Sequence, residues 1–356
     1  MPAPFVRNAW YVAATPTELG RTPLRRTLLG EPIVFFRRPD GLPVALQDRC
    51  AHRFAPLSRG RLEGDRIRCL YHGLAYDSTG ACVVNPQGDH IPARARVRAY
   101  PLLERYGFIW LWAGDARLAD PGLLPNLAPF DDAAGAVRQE GYLKVEAHYQ
   151  LIVDNLLDLS HVEYLHPSFA SRDAVENTRH EVFEANDVVH SNRYKPSCHI
   201  SPLLNRCWGR EDAVADARSC IRWHAPGTLY LEIGATPTGM PVPDGVTLPI
   251  LHLLSPETTR STHYFWAVQR DYQVGDRGLD AWLDRTFGDA FVGEDEPMIE
   301  AQQEQLGDEL NINALGPVVL PSDLAPIKAR RIVARLLADE ARNATSAPVA
   351  RRTSSA

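Results

Sequence analysis

Short apolar runs separated by turn residues dominate the first third of the chain. Pro32-Ile-Val-Phe-Phe36, Pro43-Val-Ala-Leu46, Ala81-Cys-Val-Val84 and Phe108-Ile-Trp-Leu-Trp112 are of strand length, and turn signals punctuate them: Pro39-Asp-Gly41, Gly64-Asp65, Asp77-Ser-Thr-Gly80 and Gly114-Asp115. The pattern predicts a small antiparallel β-domain over residues 1–118. Pro121-Gly122 and the stretch to Gly135 mark the boundary, and the periodicity then changes. A helical pattern covers 148–166, strand-like runs such as Gly227-Thr-Leu-Tyr-Leu-Glu-Ile233 follow, and helix is expected from about 279 to 306. A basic amphipathic helix is expected over Ile327–Leu337, inside a second domain spanning 119–340. The fold class is α+β, and the tail 341–356, rich in Ala, Ser, Thr and Arg, is expected to be disordered.

Composition narrows the function. The chain has 356 residues, 45% hydrophobic and 23% charged, which suits a globular protein of two domains. A net charge of −6 gives no reason to expect nucleic acid or an anionic membrane as partner. No apolar run approaches the roughly 18 residues of a membrane span, and MPAPFVRNAWYVAA lacks the pattern of a signal peptide. The expected location is the cytoplasm. Six Cys in such a chain form no disulfide framework, and Cys82, Cys198, Cys207 and Cys220 are expected to be ordinary thiols. No Gly-rich dinucleotide fingerprint occurs, so no NAD or flavin site is expected in this chain.

The candidate chemistry begins with Cys50-Ala-His52 and Cys69-Leu-Tyr-His72, two short clusters with sixteen residues between them. Two thiolates and two imidazoles are the ligand set of a Rieske [2Fe–2S] centre, where two Cys hold one iron and two His the other. The competing reading is structural zinc, but zinc sites usually pair Cys with Cys and His with His, whereas each loop here carries one of each. Pro56 stiffens the first loop and Gly73 suits a tight turn in the second.

A second cluster is Asp154-Asn155-Leu-Leu-Asp158-Leu-Ser-His161-Val-Glu-Tyr-Leu-His166-Pro167. On a continuous helix Asn155, Asp158 and His161 would share roughly one face, with a carboxylate beside an imidazole to fix its tautomer. Pro167 disfavours helix at residue 166, so the helix is expected to end there, turning His166 back toward the same ion. Two His and one carboxylate around an open metal face are the arrangement of non-haem Fe(II) oxygenases. The carboxylate is open: Asp158 is one candidate, and Glu294, Asp295 and Glu296 in a later acidic helix start are equivalent on sequence physics alone, with solvated acids at the helix N-terminus as the plain alternative.

Both motifs, together with Phe5-Val-Arg-Asn-Ala-Trp-Tyr-Val12 and Gly293-Glu-Asp-Glu-Pro-Met-Ile-Glu-Ala-Gln-Gln303, resemble the Rieske non-haem iron oxygenases, in particular the vanillate and dicamba O-demethylase group. The resemblance implies a helix-grip-like catalytic domain, Asp295 as third iron ligand, and Asp158 as a bridge from His161 to His72 of another chain in a homotrimer. It implies O-demethylation of a methoxybenzoate with O2, releasing formaldehyde and a phenol, on electrons from a separate reductase carrying FMN and using NADH. Substrate contacts are sought in the later strands, at Arg222, His252, His263 and Trp266, each of which is equally suited to a core or sheet-surface place. The alternatives are hydroxylation of another aromatic or methyl substrate, and an electron-transfer Rieske protein without catalysis. The second gives no use to His161 and His166.

Overall fold

A computed structural model describes residues 5–131, 135–172 and 178–346, with side chains to residue 343. Ten short strands open the chain: β1 (Trp10–Ala14), β2 (Leu24–Leu28), β3 (Glu31–Arg37), β4 (Pro43–Gln47), β5 (Arg61–Glu63), β6 (Arg66–Arg68), β7 (Ala75–Tyr76), β8 (Cys82–Val84), β9 (Leu102–Arg105) and β10 (Phe108–Trp112). They form three small antiparallel sheets, ordered β1-β10-β9, β2-β3-β4 and β5-β6-β7-β8. The last two enclose a compact core of Val34, Phe36, Leu46, Leu57, Ile67, Tyr76 and the thiols of Cys50 and Cys69.

A stretch of 3₁₀ turns then leads to a seven-stranded antiparallel sheet. Its strands are β11 (Val137–Val145), β12 (Arg179–Ala185), β13 (Val188–His199), β14 (Val214–His224), β15 (Thr228–Thr236), β16 (Val246–Thr258) and β17 (Ser261–Arg270), in the order β11-β17-β16-β15-β14-β13-β12. Both faces of the central strands are covered, which is why all ten residues of β17 are buried instead of alternating. One face, through Tyr230, Leu251, Leu253 and Phe265, packs on Trp10, Phe108, Trp110 and Trp112 of the N-terminal sheets. The other carries the helices: α1 (Tyr149–Leu157), α2 (Val162–Leu165), α3 (Pro202–Trp208), α4 (Arg277–Gly288), α5 (Glu296–Leu306) and α6 (Leu324–Ser346).

Two expectations are corrected. The helix expected over 148–166 stops at Leu157, because the Asp158 carboxylate accepts from the Ser160 amide (3.0 Å) and turns the chain before α2 restarts it. The C-terminal helix runs on through Ser346, past the expected start of the tail at 341; residues 347–356 lie outside the described residues. Among the described residues no helix is long and apolar enough to cross a membrane.

Candidate active site: two metal-binding constellations

The two Cys-His loops are built alike. In the first, Cys50 N–H donates to Ala55 O and Phe54 N–H returns to Cys50 O; in the second, Cys69 N–H donates to Leu74 O and Gly73 N–H returns to Cys69 O. Each turn closes on a left-handed residue, Phe54 at φ +61° and Gly73 at φ +80°. Gly73 meets that demand without a Cβ, which would lie 2.7 Å from Pro86. Phe54 meets it at a cost, and the Arg49 guanidinium stacks 3.8 Å over its ring. Behind the first loop, buried Asp48 accepts from the amide and hydroxyl of Ser58; behind the second, Arg68 donates to Gly73 O.

These loops place the four candidate ligands as a bimetallic cluster needs them. The thiols of Cys50 and Cys69 are buried side by side and unbridged by a disulfide, burial and the neighbouring Cys50 pushing the Cys69 thiol above its ordinary pKa. The rings of His52 and His72 stand outside them, 4.5 Å apart between centroids. Tyr76, unremarked in the sequence, has its hydroxyl 3.2 Å from Cys50 Sγ. A pair of soft donors inside and a pair of imidazoles outside fits the asymmetric [2Fe–2S] cluster.

The second constellation gathers His161, His166 and Asp295, whose donor atoms lie within 4.8 Å of one another. His166 Nε2 is 3.1 Å and His161 Nε2 3.6 Å from the same oxygen, Asp295 Oδ1. The far nitrogen of each ring is already engaged. His161 Nδ1 lies 2.7 Å from the main-chain carbonyl of Asp158, and His166 Nδ1 lies 2.6 Å from Glu294 Oε2. Donation at both Nδ1 positions leaves both Nε2 lone pairs aimed at one point beside a carboxylate oxygen, the donor set of a facial-triad iron site. Asn155 steadies the third donor, giving Asp295 Oδ1 a hydrogen bond of 3.0 Å. Burial holds His161 below the ordinary imidazole pKa. Burial also presses on His166, but Asp295 and Glu294 outweigh it and raise that ring.

The local backbone explains Asp295. Between α4 and α5 the helix widens to a π-turn over Asp289–Asp295, and Glu296 N–H reaches back to Phe291 O. Pro297, which lacks an N–H, sits in the first turn of α5 and accommodates that switch. The wide turn lets Glu294 and Asp295, adjacent in sequence, meet opposite edges of one imidazole. Sequence reasoning missed Glu294 as a partner of His166; Pro297 inside a helical pattern was the available signal.

The expected pairing of the Asp158 carboxylate with His161 is corrected: the main-chain carbonyl makes that contact, and the carboxylate serves Ser160. Of the candidate substrate contacts, two lie on the wrong face of the sheet. Arg222 stacks on Tyr230 (4.1 Å) and donates to Asn126 O. His263 is saturated, with Tyr142 Oη at 2.9 Å and Thr27 O at 2.9 Å. Strand alternation puts His252 and Trp266 on the helix-covered face, where both rings pack edge-on against Phe291 of the π-turn, each at 5.5 Å. Burial drives the pKa of His252 down to about 3. Its Nδ1 lies 2.6 Å from the Tyr264 hydroxyl, and its Nε2 has no partner among the described residues.

An N-terminal domain shaped for a Rieske cluster, joined to a helix-covered antiparallel sheet with a two-imidazole, one-carboxylate set, defines the oxygenase components of iron-dependent oxygenase systems. Comparison agrees. Residues 9–101 match the Rieske [2Fe–2S] domain, and residues 145–339 match the vanillate O-demethylase oxygenase C-terminal domain. The chain is 38% identical to the dicamba O-demethylase oxygenase component of Stenotrophomonas maltophilia, over 93% of this chain and 98% of the relative. It is 34% identical to the toluene-4-sulfonate monooxygenase iron–sulfur subunit TsaM1 of Comamonas testosteroni, over 97% and 100% of the two chains. A crystal structure of dicamba monooxygenase with non-haem iron and dicamba superposes with a TM-score of 0.82 at 34% identity, covering 95% of this chain and 99% of that one. This chain belongs to the Rieske non-haem iron oxygenases, in the vanillate O-demethylase oxygenase family. It is an oxidoreductase whose cofactors are a [2Fe–2S] cluster and a mononuclear iron.

Proposed function

We infer that this chain is the oxygenase component of a monooxygenase that O-demethylates a methoxybenzoate such as vanillate. The observation that carries the reading is the convergence of His161 Nε2, His166 Nε2 and Asp295 Oδ1, with Val162 and Phe169 between them and a cavity floored by Leu231, Ile233 and Ile250. In this reading Cys50, His52, Cys69 and His72 hold the cluster, His161, His166 and Asp295 hold the iron, and the N-terminal unit 1–118 serves the catalytic unit 119–340. When bound, the two groups supply single electrons and an oxygen-activating metal with open coordination positions. Hydroxylation of the aryl O-methyl carbon gives a hemiacetal that collapses to a phenol and formaldehyde.

The side chains supply orientation and dryness. Asp158 O and Glu294 fix the ring tautomers, Asn155 aims Asp295, and Phe169, its ring 5.8 Å from that of His166, keeps water from the metal's cavity side. In this reading Tyr264 donates to His252 Nδ1, so that His252 carries its proton on Nε2 and offers it to a polar substituent, with Trp266 packed beside it on Phe291. Electrons come from NADH through a separate FMN and iron–sulfur reductase, in the cytoplasm.

The assembly proposed is a homotrimer. Phe54, Leu70 and Tyr71 are exposed at the tip of the Cys-His loops, and a groove lined by Asp158, His161, Met298, Val318 and Val319 opens beside the iron site. These two surfaces suit each other, and in this reading Asp158, which lines the groove, bridges to His72 of the partner subunit.

The test is chemical. The protein is reduced, exposed to O2 with vanillate and a panel of methoxybenzoates, and assayed for formaldehyde and phenol per iron site. Near-stoichiometric formaldehyde with one member is expected; none from any member overturns O-demethylation. A second reading, hydroxylation of a methyl arene, is favoured by the toluene-4-sulfonate relative, and an aryl alcohol without formaldehyde would be its product.

A further inference from the structure

We propose that Arg193 is the anion-binding residue of the cavity beside the iron site, so that the substrate is an aromatic anion whose charged group lies against β13. The inference rests on the reading of that cavity as the substrate cavity. Two of its lining residues border the metal-binding side chains: Val162 is next in sequence to His161, and Phe169 packs on His166. Its floor is the helix-covered face of the sheet, and its apolar lining includes Leu204, Leu231, Ile233 and Ile250. It is narrow, about 60 Å³, so a benzene ring enters only as those apolar walls shift.

Two cationic side chains on the helix-covered face, Arg193 and Lys195, line a space whose other walls are apolar side chains and the hydroxyls of Ser171, Ser201 and Ser219. One is neutralised in place. Lys195 pairs with Glu163, which also accepts from the Ser171 amide at 3.0 Å. Arg218 borders the cavity from β14, but alternation turns its side chain to the opposite face with Arg222, where it pairs with Glu232 at 3.1 Å and donates to the Thr247 hydroxyl. The Arg193 guanidinium has no hydrogen bond and no carboxylate within 4 Å among the described residues, and its Nε is buried without a partner. The register sets Ser219 directly across from it on β14, adding a hydroxyl to the same spot.

Among the described residues, this leaves one uncompensated cation at the wall of a largely apolar cavity. A half-buried guanidinium without a partner is unfavourable, and the fork geometry of Arg matches a carboxylate or sulfonate with two parallel hydrogen bonds. An aromatic ring carrying such a group satisfies both features at once, the ring replacing contacts along the apolar lining and the anion neutralising Arg193. A neutral aromatic satisfies only the first.

The experiment is calorimetric titration of the iron-loaded protein with 4-methoxybenzoate, toluene-4-sulfonate and the uncharged isostere 4-methoxybenzamide, in wild type, Arg193→Gln and Arg193→Lys. The visible Rieske absorption of each variant reports that it is folded. Arg193→Gln is expected to weaken an anion that wild type binds by about tenfold or more, as loss of charge-assisted hydrogen bonds does, while the amide changes by less than about twofold. Arg193→Lys should recover part of the loss. The proposal falls if wild type binds neither anion, if Arg193→Gln binds anions as wild type does, or if it loses amide and anion equally. Formaldehyde plays no part in this readout. Anion binding that depends on Arg193, with no formaldehyde from the panel, removes O-demethylation and leaves the anion site standing.

Discussion

At the scale of single residues, the iron site depends on where two protons sit. Each imidazole offers a lone pair at Nε2 only while its Nδ1 donates elsewhere, and here one acceptor is a main-chain carbonyl and the other is Glu294. The two carboxylates that flank His166 thus have different tasks. Asp295→Ala removes a donor atom, and the mononuclear iron should be lost while the Rieske spectrum stays. Glu294→Gln keeps all three donors but weakens the hold on the His166 tautomer, so iron affinity should fall by about 10- to 100-fold. Iron retained under graded chelator, read beside the Rieske absorption, separates the two variants. Equal loss in both would make Glu294 a ligand. The ligand residue types were legible in the sequence because Cys, His and Asp announce metal chemistry at short spacing. Glu294 was not, since its partner stands 128 positions away.

At the scale of elements, the irregular helices matter more than the regular ones. A helix that continued from α1 through His166 would present its side chains at fixed angular steps. The chain instead breaks at Asp158 and restarts at Val162, which brings His161 and His166 into edge-on contact at 5.1 Å. The π-turn before Pro297 does the same for Asp295. Helix α1 is pinned by α6, where Arg330 grips Asp154 through Nη2 at 2.5 Å and Nε at 3.0 Å. Both side chains are largely buried, and burial raises the Asp154 pKa despite the guanidinium beside it. Arg330→Met leaves that carboxylate buried and unpaired and should cost about 3 kcal/mol of unfolding free energy, measured by denaturant titration. Because Asn155 is the next residue on α1, iron affinity should drop with it.

At the scale of the molecule, the seven-stranded sheet carries the iron site on one face and the N-terminal sheets on the other, joined by contacts such as Ser255 Oγ to Val12 O at 2.7 Å. Several histidines are trapped in this packing. Burial lowers His148, His224 and His263 to about 4. The unfolded chain takes up these protons near pH 6.5 and the folded chain does not, so stability should decline as pH falls from about 6.5 toward 4, seen as a falling Tm by circular dichroism. A Tm flat across that window would mean that these rings are solvated. Asp158→Asn tests the proposed assembly: an amide oxygen can still cap Ser160, so both metals should stay and the trimer should form, while electron delivery slows. Unchanged turnover would end the bridging role.

The sequence by itself determined the chemistry. The order and spacing of Cys50, His52, Cys69, His72, His161 and His166 marked the candidate metal ligands, and strand-length apolar runs marked the N-terminal β-domain, because ligand type and local periodicity are local properties. It left Glu294, Asp295 and Glu296 equivalent on physics alone, and it offered Arg222 and His263 on the same terms as His252. Only the tertiary structure decided among them. Which face of a strand meets the helices depends on register across the whole sheet, and which carboxylate meets an imidazole depends on a π-turn set by packing against Trp266 and Tyr264. Arg193 is the extreme case: an ordinary strand residue in sequence, distinguished only by the carboxylate that the fold gives its cavity neighbour Lys195 and, among the described residues, withholds from it.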